Sequence, residues 1–453
     1  MKRVFAFGLL VAAILASSVV AQRNSTNSSH WPQWRGPDFN GMARSDAPTK
    51  WSDTENVKWK AALPGRGHST PVVWGDKIFL TTAIPTGKTA PATPEPQGGG
   101  RPGGRPGGGA GGGAAANQEH QFVVMCLDKK TGKILWQKLA KTAVPHEGYH
   151  GMYGSFASNS PVTDGKYVIA FFGSRGVYCY DVNGKLVWEK DFDVKMQMHM
   201  QFGEGTAAVL EGETLLLNFD HKGGSFLVAM NKATGKELWR ANREEISNWA
   251  APLVVEYGGK KQIIVSATTK VRSYNLTDGK LIWECAGLGM NTIPAPVYAD
   301  GIVYVMSGFR DPKLLAIKLG REGDLTGTDA VVWSETRGTS YTPSPVLFDG
   351  KLYALTDNGL FSCFDAKTGT PYYHRTRLPK AYNFKASPVG ANGKLYLAAE
   401  DGDVVILKMG EKFEVLATNT LADQMFIASP VIVSGEIFLR SQNTLFCISE
   451  KKS

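Results

Sequence analysis

The chain has 453 residues, 43% hydrophobic and 20% charged, with 51 Gly, 23 Pro and five Cys; it is long enough for a large core or two, which excludes wholesale disorder, a collagen-like fiber and a disulfide-stapled miniature. The formal charge of +9 is spread along the chain without a run of five or six like charges, so no nucleic-acid tail is indicated.

Lys2 and Arg3 precede an apolar run from Val4 to Val20, and small residues stand where a signal peptidase inspects the chain. This is the pattern of a cleaved signal peptide over residues 1–21, because a membrane anchor needs about 20 apolar residues. The mature chain is expected to start near Gln22 and to be exported, to the periplasm or outside the cell, with no stable membrane anchor. Residues 22–50 read as an N-terminal extension. Within it Trp31, Trp34 and Arg35 are expected to pack against the side of the following domain, a partner contact being the alternative.

From Trp51 onwards one phrase returns: a small residue, Pro-Val, a turn containing Gly, and a short apolar strand. Strong copies are "STPVVWGDKIFL" from Ser69, "NSPVTDGKYVIAFF" from Asn159, "PSPVLFDGKLYAL" from Pro343, "ASPVGANGKLYLA" from Ala386 and "ASPVIVSGEIFL" from Ala428; weaker ones begin at Thr206, Ala250 and Pro294. These eight copies recur every 42 to 49 residues or so after a longer first interval, which is the signature of propeller blades. Residues 84–119 lengthen that interval. Their centre, "GGGRPGGRPGGGAGGG", cannot bury enough apolar surface to order itself, so a disordered insertion in blade one is expected.

A second half-phrase completes each copy, as in "CLDKKTGKILW" from Cys126 and "CYDVNGKLVW" from Cys179. Each reads as strand, tight turn at Gly, strand. Trp136, Trp188, Trp239, Trp283 and Trp333 fall on the last strand of their blades, where an indole can fill the wedge between neighbours. The eighth copy ends in "NTLFCISEKK" with no Trp, and "ENVKWKAAL" from Glu55 supplies the missing strand, with Trp59 in the Trp slot. The expected fold is all-β: an eight-bladed β-propeller of four-stranded antiparallel blades over residues 51–453, closed by the N-terminal strand completing the last blade. Cys126, Cys179, Cys363 and Cys447 take equivalent third-strand slots and Cys285 follows Trp283, so mostly unpaired, buried thiols are expected.

The repeated "xxDxxTGKxxW" phrase resembles the pyrroloquinoline-quinone (PQQ) repeat. That repeat is shared by eight-bladed quinoprotein dehydrogenases and by non-enzymatic envelope propellers such as the assembly lipoprotein of the Bam complex. "HWPQWRGPDFNG" from His30 resembles a group of exported bacterial PQQ-like propellers. The resemblance implies fold more strongly than activity, since the motif residues build blades. It also implies what a quinoprotein enzyme would carry: an adjacent Cys-Cys disulfide, calcium held by carboxylate and amide side chains, a stacking Trp and an Asp base. No Cys-Cys pair is present and no carboxylate takes those roles by motif. No cofactor is therefore expected, with PQQ and calcium as the alternative.

In a propeller the hairpin turns open on one face, and the mid-blade loops and blade crossovers on the other. The hairpin turns here are short, so the long-loop face is the expected functional face. It receives His68, His120, His146, His150, His199 and His221. "HEGYH" over His146–His150 matches a zinc-protease expression, but the adjacent Pro145, Gly148 and Gly151 oppose the helix that chemistry needs. A loop-built metal or ligand site from His146, His150 and His199 is the remaining candidate. Met196, Met198 and Met200 alternate around His199; they read as gap-fillers under a crossover, with a copper site on one side of an extended strand as the alternative. No catalytic residue is assigned. The leading functional reading is a non-catalytic platform for a protein or polymer partner, and the rival is a PQQ-dependent oxidoreductase with a degenerate site.

Overall fold

Short runs of β-branched and aromatic residues punctuated by Gly turns favour strands, and strands dominate the computed structural model, which describes residues 29–90 and 116–450. They form eight antiparallel blades of four strands each. Blade one is Val72–Trp74, Lys77–Thr89, Gln118–Asp128 and Ile134–Ala143. Blade eight takes Val431–Val433, Glu436–Arg440 and Thr444–Ile448 from the chain's end and Val57–Ala62 from its beginning, with Trp59 opposite Cys447 and Lys60 opposite Phe446. The ring therefore closes as the repeats imply, and blade eight's outer position is filled from the other end of the chain. Among the described residues no helix is long and apolar enough to cross a membrane.

The Trp slots have a common geometry. Trp59, Trp136, Trp188, Trp239 and Trp333 lie on the Gly of the next blade's outer turn, Gly132, Gly184, Gly235, Gly279 and Gly369, where a Cβ would come within 2.4–2.9 Å of ring atoms. Each indole N–H donates to a carbonyl of that turn, from Trp59 to Lys129 O at 3.1 Å through Trp333 to Ala366 O at 2.9 Å. Gly is thus required twice, for positive φ and for space under the ring. Trp283 keeps the expected slot, on its blade's last strand and packed among Leu315, Ile317 and Leu325 of the next blade, but not this Gly geometry. It is 1% exposed and donates to Gln262 Oε1 of its own blade at 3.1 Å. The cause is blade five's longer outer turn, whose Gly323–Asp324 strand pairs in parallel with Leu281–Cys285 and sets Gly323 opposite Trp283. All five cysteines are free and buried in the blades, with Cys126, Cys179 and Cys447 opposite Trp136, Trp188 and Trp59.

The small residue before each Pro also has a physical task. Around the axis, Ala295 N–H donates to Ser344 Oγ, Ser344 to Ser387, Ser387 to Ser429, Ser429 to Thr70 and Thr70 to Ser160, all at 2.9–3.1 Å. This ladder of hydroxyls links successive blades at the axial wall.

Two expectations are corrected. Trp31, Trp34 and Arg35 do not lie against the propeller's side; residues 30–45 form a strap across the axial channel. His30–Trp31 pairs with the innermost strand of blade one, Trp31 is fully buried, and Arg35 donates to Pro345 O and Pro388 O of blades six and seven at 2.9 and 3.1 Å. Gly36 and Gly41, both at positive φ, curl the strap; a Cβ on Gly41 would fall 2.1 Å from Arg35 Nη2. Trp31 and Arg35 are buried because the strap brings them to an apolar wall and to the carbonyls of Pro345 and Pro388. The second correction concerns residues 84–119, whose flanks are paired strand, with Ile84 opposite Gln121 and Thr89 opposite Gln118. The Gly-rich centre at 91–115 lies outside the described residues, as does the signal peptide expected at 1–21.

Candidate functional site

The blade crossovers and mid-blade loops surround an axial cup of about 530 Å³ on the long-loop face. The strap reaches it from the opposite face: Trp34 belongs to the lining and its indole N–H donates to Ser429 Oγ at 3.3 Å. The cup is therefore blind. Its walls carry Phe202, Trp249, Phe309, Tyr341 and Tyr153, with Phe309 and Tyr341 stacked at 5.2 Å. Trp249 is fixed by donating to Gly203 O at 2.8 Å. Thr70, Ser160 and Ser429 of the hydroxyl ladder face the same space.

Charge in the cup is matched. Lys385 pairs with Asp357 at 3.2 Å and Glu400 at 3.0 Å and lies 4.5 Å from the Tyr153 ring. Burial opposes its charge, but the two carboxylates overcome that and hold its pKa above the usual lysine value. Glu204 accepts from Arg175 at 2.6 Å and from the Ser174 hydroxyl at 2.8 Å. His68, 6% exposed, is pushed down to about 3, first by burial and then by Arg66 and Arg440, so it is neutral, and its Nε2 has no hydrogen-bond partner.

The histidines singled out by sequence part company. His150 lines the cup, stacked on Tyr153 at 4.7 Å, and burial lowers its pKa. His146 Nε2 bonds to Met196 O at 2.8 Å, beneath the crossover. His199 sits in a short 3-10 turn, its backbone N–H donating to Ser247 Oγ at 2.8 Å. Among the described residues no three His, Cys, Asp or Glu side chains are disposed to hold a metal ion. "HEGYH" is irregular backbone rather than helix, and Glu147 is buried with both carboxylate oxygens accepting from Met198 N–H at 3.1 and 3.2 Å. The three methionines do not share one side of a strand. Met196 and Met198 fill the core near Phe171 and Phe219, while Met200, at φ 49°, is 52% exposed. The residues sequence reasoning missed are the cup aromatics and Lys385; each lies in a crossover or mid-blade loop outside the repeat phrase.

A PQQ–calcium pair does not fit this lining. The cup carboxylates Asp357 and Glu204 are engaged by Lys385 and Arg175, leaving no carboxylate–amide cradle, and all five thiols are buried within blades. The three carboxylates of PQQ would meet one lysine, already paired twice.

The family described as outer membrane protein assembly factor BamB matches residues 120–309 and 321–412, more than half of the chain. The chain is 22% identical over 284 residues to tetrathionate hydrolase of Acidithiobacillus ferrooxidans, covering 58% of this chain and 53% of that protein; it thus spans about half the length of that relative. The crystal structure of BamB from Moraxella catarrhalis superposes with a TM-score of 0.52 at 11% identity, covering 83% of this chain and 98% of that one. Quinohemoprotein alcohol dehydrogenase from Comamonas testosteroni gives 0.62 at 9% identity, covering 95% and 82%. At such identities these two likenesses speak to fold alone.

Proposed function

The chain belongs to the family described as outer membrane protein assembly factor BamB, and from that premise we propose that it is a non-catalytic binding platform of the cell envelope, taking a protein or polymer partner on its long-loop face. The observation that carries this reading is the blind axial cup: an aromatic, hydroxyl-lined recess whose charged groups neutralise one another and whose residues do not form a cofactor cradle. A rigid ring presenting a preformed recess is suited to recognition, because a preorganised surface loses little entropy on binding. The sequence's export signal and the family's description support an envelope location.

The rival reading is a PQQ-dependent oxidoreductase, and one pair of experiments separates the two. Incubation with PQQ and Ca²⁺ is expected to give neither a bound quinone spectrum nor dye reduction with alcohols or sugars; appearance of both overturns the platform. A photo-crosslinking residue at the exposed Met152, on the long-loop face, is expected to capture a partner in intact cells. The same residue at the exposed Phe348, on the tight-turn face, is expected to capture none. The reverse pattern also overturns the proposal.

A further inference from the structure

The cup's chemistry narrows its occupant. Five ladder hydroxyls, Thr70, Ser160, Ser344, Ser387 and Ser429, each accept a backbone N–H, and among the described residues none donates its own proton. Three of them line the cup. A purely apolar occupant would leave these groups unpaired, which is costly in a desolvated site. An ionic occupant would be stripped of water without finding a free counter-charge, since Lys385 and Glu204 are already paired. The occupant that satisfies both walls is neutral, has hydroxyls that donate and accept, and has an apolar face to lay on Trp249, Phe202, Phe309 or Tyr341.

We propose that the axial cup binds the free end of a neutral saccharide chain, its ring faces against the aromatic wall and its hydroxyls on the Thr70–Ser160–Ser429 arc. This deepens the platform reading and rests on it: the polymer partner is a glycan, and the strap across the channel admits a chain end rather than a threaded chain.

The test uses the full mature chain. Saturation-transfer NMR and calorimetric titration are run against neutral mono- to tetrasaccharides built from gluco-, galacto-, manno- and N-acetylhexosamine units, with glucuronate and glucosamine as charged counterparts. Binding of at least one neutral member, in preference to its charged counterpart, is expected. Phe309→Ala and Tyr341→Ala, both on partly exposed wall positions, are each expected to weaken it about tenfold or more, while the opposite-face variant Phe348→Ala leaves it unchanged; circular dichroism melts of all three establish that they fold. Ser160→Ala is expected to weaken it as well. No neutral member binding at tens of millimolar, stronger binding of glucuronate or glucosamine, or affinity indifferent to the cup variants each overturn the saccharide assignment. Partner capture at Met152 without saccharide binding removes the glycan and leaves the platform, whereas PQQ-dependent dye reduction removes the platform itself.

Discussion

Replacing Trp59 with Ala loosens the strand beside the ring's seam, where Val57–Ala62 and Thr444–Ile448 pair with no peptide bond joining them directly. The Trp59 indole is partly buried, lies on Gly132 of blade one, and donates to Lys129 O at 3.1 Å. A fully buried Trp→Ala change costs about 3–5 kcal/mol. Partial exposure reduces the packing share to about 2 kcal/mol, on the order of 80 Å² at ~25 cal/mol per Å², and the lost hydrogen bond adds about 1 kcal/mol. The expected loss is therefore about 3 kcal/mol, roughly a hundredfold in the folding equilibrium. Urea unfolding followed by far-UV circular dichroism measures it, with an unchanged m-value as the sign that stability alone moved. Trp188→Ala is the comparison, because Trp188 makes the same contacts, to Gly235 and Lys232 O, away from the seam. Similar equilibrium losses are expected, with faster unfolding for Trp59→Ala. A Trp59→Ala loss below about 0.5 kcal/mol, the usual range for an indifferent surface change, refutes the reasoning.

Removing residues 51–63 strips blade eight of its Val57–Ala62 strand and is expected to lower Tm by many degrees; a truncation melting like the parent refutes closure. Gly41→Ala drives a Cβ onto Arg35 at a φ of +77°, so a loss above about 1 kcal/mol and faster proteolysis within the strap are expected in limited digestion. Two buried groups shape the pH profile of Tm. Glu147 is raised from 4.5 to about 7, chiefly by burial, so its stabilising contribution is full below about 4.5 and lost as pH rises through about 7; Glu147→Gln is expected to flatten that fall. His68 is lowered from 6.5 to about 3, again chiefly by burial, so its contribution is present above about 6.5 and lost as pH falls toward 3; His68→Gln is expected to flatten the acid limb.

Blade number, closure and the Trp slots were legible because each rests on a pattern repeated around the ring, so a single weak copy is corrected by its neighbours; that each Trp lies on the next blade's turn Gly was not. Trp283 takes the slot its spacing predicts, but its different hydrogen bond was not legible, because the Gly323–Asp324 strand paired beside it belongs to an irregular turn of the next blade. The Pro-preceding small residues were visible as punctuation, yet their hydroxyl ladder was not, because its partners lie about one repeat apart and meet only at the axis. The strap was illegible for a different reason. "WPQWRGPDFNG" occurs once, and nothing local distinguishes an outer flank from an axial plug; the paired glycines at 36 and 41 were the available signal. Strict alternation misread the Met196–Met200 stretch because Met200 leaves the extended conformation. The cup aromatics sit in loops that share no motif, so only folding brings Trp249, Phe309 and Tyr341 into one wall.

The strap gives the cup a single door. Whatever enters must back out the way it came, so one molecule occupies the recess at a time and the stoichiometry follows the number of termini in solution rather than the mass of polymer. A glycan sheared into twice as many pieces should titrate twice as much protein.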